Sequence, residues 1–88
     1  MRIIELQRPS KYLKSDFELD ATGLVCPEPL MLVRNKVREM EPGQVLHVLA
    51  TDPTTKRDLD NFCHFMKHKM LATSSTDEII EFWIKNGL

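Results

Sequence analysis

The sequence is short of most features that mark specialised classes of protein. Its 88 residues include two cysteines, three glycines, one tryptophan and one tyrosine, and the 12 basic residues nearly balance the 13 acidic ones. A net charge of -1 argues against a domain whose affinity comes from a broad phosphate-binding surface, so nucleic acid is not the default partner. Two cysteines without a secretory signal point to reduced thiols and away from a disulfide framework. No apolar run approaches membrane-spanning length, and the start, Met1-Arg2-Ile3-Ile4-Glu5-Leu6-Gln7-Arg8, has no continuous apolar region. A cytosolic protein without a membrane partner is expected. The length suits a single domain with one modest core and one site.

What the chain does have is Cys26-Pro27-Glu28-Pro29, which puts a thiol directly in front of an expected helix. The first backbone N–H groups of a helix lack intrahelical partners and carry partial positive charge, which favours an anion such as a thiolate. Pro27 suits the first helical position, because its ring presets φ and its missing N–H would have been unpaired anyway. Cys26 is thereby pushed toward extended geometry and reads as the cap. Pro29 removes a second donor, leaving Glu28 with an N–H for the sulfur. A thiol of pKa near 8.5 is only about 3 % ionised at pH 7, whereas a pKa near 7 would give roughly half. The helix end is expected to lower the Cys26 pKa modestly, against the nearby Glu28 carboxylate. The bland alternative is a small buried hydrophobe.

A second junction, Asp52-Pro53, repeats this grammar with an ordinary helix starter in the cap position. Between and around the two junctions the elements follow from periodicity. Phe17, Leu19 and Ala21 alternate with Glu18 and Asp20, a half-buried strand ending at Thr22-Gly23. From Pro27 to Met40 the positions Leu30, Val33, Val37 and Met40 mark one helical stripe, which ends at Pro42-Gly43. Val45 to Ala50 reads as an inner strand with Leu46, Val48 and Ala50 facing the helices. A second helix is expected roughly from Pro53 to His68, then a weaker strand from Met70 to Thr76. Ser75-Thr76-Asp77 forms the turn into a last strand, Glu78 to Lys85, that sends Ile80, Phe82 and Ile84 into the core. Residues 1 to 15 show no sustained period and read as an N-terminal extension to a domain over 16 to 88.

The order β-α-β-α-β-β predicts a two-layer α/β (α+β) sandwich, with a four-stranded mixed sheet and two helices on one face. If the first two strands are parallel, both helix N-termini lie at one sheet edge, where α/β folds place ligands. Lys56 and Arg57 would then flank Cys26, or form an ordinary solvated first turn.

Leu19-Asp20-Ala21-Thr22-Gly23-Leu24-Val25-Cys26-Pro27-Glu28-Pro29, followed by Ala50-Thr51-Asp52-Pro53, Arg57-Asp58-Leu59 and Phe62-Cys63, closely resembles the TusA-like (SirA-like) sulfur carrier family over residues 17 to 85. The resemblance implies a carrier and not an enzyme. The residue matching Cys26 accepts persulfide sulfur from a cysteine desulfurase and relays it to a downstream sulfur-acceptor protein complex. Phe65-Met66 and His68 make the chain look most like the branch serving 2-thiolation of the tRNA wobble uridine; other branches serve sulfur oxidation or wider sulfur trafficking. Carried over by position, Cys26 is the persulfide site, Pro27, Glu28 and Pro29 shape its helix start, and Asp52, Pro53 and Arg57 support it. No cofactor or metal is implied. Val25 departs from the family, many members of which have a basic residue there.

The remaining candidates carry less. Cys63 falls on or beside the apolar stripe of the second helix and reads as core, remote from a cap position. His64 and His68, at i and i+4, share a helical face, but two ligands do not close a metal site. Met31 and Met66 belong to helices packing on the core. His47, Leu49 and Trp83 fall on the sheet face without helices and form either a small partner-facing patch or ordinary packing. Besides a sulfur carrier, a non-catalytic interaction or regulatory module remains open.

Overall fold

The computed structural model describes residues 14–87, so the expected N-terminal extension lies almost wholly outside the described residues. In chain order the elements are β1 (Phe17–Ala21), α1 (Glu28–Glu39), β2 (Val45–Ala50), α2 (Thr55–Met66), β3 (Lys69–Thr76) and β4 (Ile79–Lys85). The strands form one sheet in the order β1-β2-β4-β3. β1 runs parallel to β2 with Leu19 opposite Val48, and β4 returns antiparallel with Phe82 opposite the same residue. β3 pairs antiparallel with β4 at the far edge and carries a bulge between Met70 and Ala72. The expected α+β sandwich with a mixed four-stranded sheet is what forms.

Alternation along each strand decides which side chains meet the helices. Leu46, Val48 and Ala50 of β2 and Phe82 and Ile84 of β4 pack in one cluster with Val33, Val37 and Met40 from the first helical segment and Leu59, Phe62 and Cys63 from α2. Phe82, Leu46, Leu59 and Ile84 are fully buried, and each such side chain contributes roughly 1.5–3 kcal/mol.

The end of α1 shows how local sequence and distant contacts combine. Pro42 presets the turn, Gly43 takes φ +91°, and the Gln44 N–H reaches the Glu41 carbonyl at 3.1 Å, the pattern of a type II turn. Asn86, just beyond β4, donates from Nδ2 to the Met40 carbonyl at 3.0 Å and to that of Val37 at 3.5 Å. The Met40 carbonyl at the helix end is thus satisfied from beyond the last strand, and the Val37 carbonyl, which already accepts the Met40 N–H, gains a second donor. At the next position only glycine fits, since a β-carbon on Gly87 would collide with the Lys67 carbonyl.

Several expectations need correction. The second helix stops at Met66, because Lys67 adopts the left-handed conformation with φ 63° and redirects the chain. His64 and His68 therefore do not share a helical face. The last turn sits one residue later than expected, at Asp77-Glu78, because strand pairing continues to Thr76 opposite Ile79. Met31 and Met66 do belong to the two helices that pack on the core, as expected, but are themselves half exposed, at 50% and 49%. Of the two readings left open for His47 and Trp83, packing is the one that holds: their rings stack 4.6 Å apart and both are buried. The Glu18 and Glu81 carboxylates flank the imidazole at 3.5 and 3.8 Å.

Candidate functional site

The parallel pairing of β1 with β2 brings the loops after both strands to the same edge of the sheet, and side chains of the second loop tie down the first. At the end of β1, Asp20 Oδ1 accepts from the Thr22 N–H at 3.0 Å and from its hydroxyl at 2.6 Å. These bonds hold the Asp20 carboxyl below its ordinary pKa. Gly23 takes φ +82° and its N–H donates to Thr51 Oγ1 at 2.9 Å. Three residues on, the Cys26 N–H donates to Asp52 Oδ2 at 2.8 Å.

Asp52 serves both loops. While Oδ2 holds the cysteine amide, Oδ1 accepts from the Thr54 N–H and hydroxyl, each at 2.9 Å. The Thr54 and Cys26 N–H bonds, with the Thr54 hydroxyl, hold the Asp52 carboxyl below its ordinary pKa. Pro53 sits in a turn closed by the Thr55 N–H on the Asp52 carbonyl at 3.0 Å. The helix proper begins at Thr55, two residues later than the Asp-Pro pair suggests, because the Asp52 side chain closes a local turn before the helix starts.

The cysteine is likewise not the cap. Pro27 occupies that position with φ -101° and ψ 19°, following a cis Cys26–Pro27 peptide, and α1 begins at Glu28. The Glu28 N–H is taken by the Val25 carbonyl at 2.9 Å, and Pro27 and Pro29 have none to give. The helix end therefore offers the sulfur none of the donors that would stabilise a thiolate. Pro29 is fully buried and anchors the start of the helix against the core, whereas Glu28 is exposed.

The Cys26 thiol is exposed and makes its bond to the opposite helix, donating from Sγ to Asp58 Oδ2 at 3.2 Å. That hydrogen bond raises the thiol pKa, with some desolvation and the negative charges of Asp58 and Asp52 adding to it and Arg57 opposing. The expected lowering of the Cys26 pKa is thus reversed, because the neighbours that reach the sulfur are carboxylates. Arg57 does stand near the site, with Nε 3.7 Å from Asp58 Oδ1. Lys56 instead pairs along its own helix with Asp60 at 2.7 Å.

The model of the family described as Sulfurtransferase TusA matches residues 17–86 of the chain. Proteins named sulfur carrier protein TusA from Pseudomonas syringae pv. syringae (strain B728a) and Pseudomonas syringae pv. tomato (strain ATCC BAA-871 / DC3000) are each 42% identical to it over 80 residues. That alignment covers 91% of this chain and 95% of each relative. The chain belongs to the TusA family. A crystal structure of a SirA-like protein from Desulfitobacterium hafniense superposes with a TM-score of 0.73 at 27% identity, covering 82% of this chain and 99% of that one.

This TusA-family chain presents apolar surface next to Cys26 in sequence and along the groove between the helices. Val25 is 64% exposed and Phe65 74%, and a shallow cavity of about 310 Å³ between the helices is lined by Leu30, Arg34, Asp58 and Phe65 among others. Cys63 is buried in the core, its thiol pushed up to about 11 by burial. Past the end of α2, His68 Nδ1 accepts the Gly87 N–H at 3.1 Å and its ring leans on Phe62. Burial lowers its pKa. Among the described residues no group of three or more His, Cys, Asp or Glu side chains is placed to hold a metal ion, and no helix is long and apolar enough to cross a membrane. Asp58 and Thr51 were not marked by sequence reasoning as site residues. The contact of Asp58 with a cysteine 32 positions away follows only from the parallel pairing of β1 and β2.

Proposed function

We propose that this chain is a cytosolic sulfur carrier that takes sulfane sulfur onto Cys26 from a cysteine desulfurase and passes it to a downstream acceptor protein, in the route to wobble-uridine 2-thiolation of tRNA. The observation that carries the reading is the exposed Cys26 thiol, fixed through its own backbone N–H at the shared edge of two helix starts. A carrier needs such a thiol, since both giver and taker present bulky protein surfaces to the same sulfur. Membership of the TusA family supports the reading. So do exposed apolar side chains, with Val25 next to the cysteine and Met31, Phe65 and Met66 on the two helices that start at the site, which suit transient docking by partner proteins. Residues 16–88 form the carrier domain in this reading. Pro27, Glu28, Pro29, Asp52, Pro53 and Arg57 shape or border the site.

The chemistry balances without an external oxidant. The Cys26 sulfur attacks the outer sulfur of a donor persulfide, a new S–S bond forms, the donor's own S–S bond breaks, and the donor leaves as a thiol. Passing the sulfur on repeats the step with Cys26 as the leaving group. Incubation with a desulfurase and cysteine, read by mass spectrometry, is expected to add one sulfur at Cys26 in the wild type and none in Cys26→Ser. Deleting the gene and measuring wobble 2-thiouridine, with rescue by wild type and by Cys26→Ser, tests the pathway. Full rescue by the serine variant would instead support a non-catalytic interaction module.

A further inference from the structure

We propose that Asp58 is the proton acceptor for Cys26 during sulfur loading: its Oδ2 takes the thiol proton as the sulfur attacks and delivers it to the departing donor thiolate. The proposal rests on the carrier reading above and adds a catalytic residue to it.

The geometry divides the labour of one carboxylate. Oδ2 lies 3.2 Å from Sγ as acceptor of the thiol proton, while Arg57 Nε stands 3.7 Å from Oδ1. The Asp58 N–H donates to the Thr54 carbonyl at 3.1 Å, so the first turn of α2 fixes the backbone beneath it. Its side chain is only 17% exposed, which limits the rotamers through which the carboxylate wanders. Among the described residues no other hydrogen bond to the thiol competes. The Glu28 N–H is engaged by Val25 and the Asp52 carboxylate by the cysteine amide and Thr54. Lys56 is turned to Asp60.

The charged groups facing the sulfur are Asp58 and Arg57 on α2 and Asp52 on the loop before it. Two carboxylates against one guanidinium keep the resting thiol protonated, which protects an exposed cysteine from adventitious oxidation. The same protonation means that loading needs a base in contact with the sulfur, as activated nucleophiles generally do. In the step itself the S–H bond breaks toward Oδ2 as Sγ bonds the donor's outer sulfur. The electron pair of the broken donor S–S bond stays on the donor's inner sulfur, which then receives the proton. On unloading, the carboxyl carries a proton from the acceptor thiol to Cys26 as it leaves.

A merely electrostatic brake predicts the opposite outcome on removal, which makes the assignment testable. Full-length wild type, Asp58→Asn, Asp58→Glu and Cys26→Ser are compared for two rates. One is alkylation of Cys26 by iodoacetamide across pH 6 to 10. The other is loading from a cysteine desulfurase fed with sulfur-34 cysteine, at saturating carrier. Asp58→Asn is expected to shift the alkylation midpoint to lower pH while slowing loading by about tenfold or more, and Asp58→Glu to restore much of the loading. Asp58→Ser gives the same test should the asparagine variant be poorly folded. Loading that is unchanged or faster in Asp58→Asn overturns the role of Asp58 and leaves the carrier reading standing. Absence of label on wild-type Cys26 overturns both.

Discussion

Cys26 and Cys63 are both free thiols pushed above the ordinary range, and opposite physics does it. Cys63 is raised to about 11 chiefly because the core withdraws it from water. Cys26 is exposed, and an acceptor carboxylate stabilises its protonated form. The direction of a pKa shift therefore does not separate a reactive sulfur from an inert one. What separates these two is access and the company of a group able to accept the proton.

The comparison breaks most sharply on sulfur loading, the largest effect expected. Cys26→Ser should lose all label, whereas Cys63→Ser should retain wild-type loading; label on Cys63 would overturn the contrast. Next comes alkylation under native conditions, read by peptide mass spectrometry. Cys26 should react at a rate set by its ionised fraction, and Cys63 only through opening of the core, slower by about a thousandfold or more. A smaller effect is expected in stability. Cys63→Ser puts a hydroxyl where the core supplied apolar contact and should cost about 1–3 kcal/mol in urea unfolding, while Cys26→Ser should leave the midpoint unmoved.

The smallest effect concerns Asp52. Its carboxyl is held below the ordinary range by bonds that exist only in the fold. The unfolded chain thus takes up the proton first, and the stabilisation is full above about pH 4 and fades as pH falls through the depressed native value. Asp52→Ala should lower the melting temperature slightly at neutral pH, and the gap from wild type should close in acid. A gap that widens in acid would contradict the sign.

Most of the fold was legible because period and punctuation agree: Phe17–Ala21 and Val45–Ala50 are strands over the residues their alternation and apolar run mark. Helix starts were less so. Asp52 spends Oδ1 on a local turn before the helix and Oδ2 on the Cys26 amide, and Pro27 holds the cap position assigned to Cys26. The thiol's sign was misread for a related reason. The one helix-start N–H expected to serve the sulfur belongs to Glu28, and it is given to the Val25 carbonyl instead. Asp58 stayed hidden because a contact across 32 residues leaves no trace in either local pattern.

The grip of Asp52 on Cys26 falls on the amide and not on the sulfur. In the proposed relay, gaining or surrendering an outer sulfur atom leaves that tether as it was, so a protein arriving to give and one arriving to take would meet the same backbone frame. Telling a laden carrier from an empty one is then left to a single protruding atom.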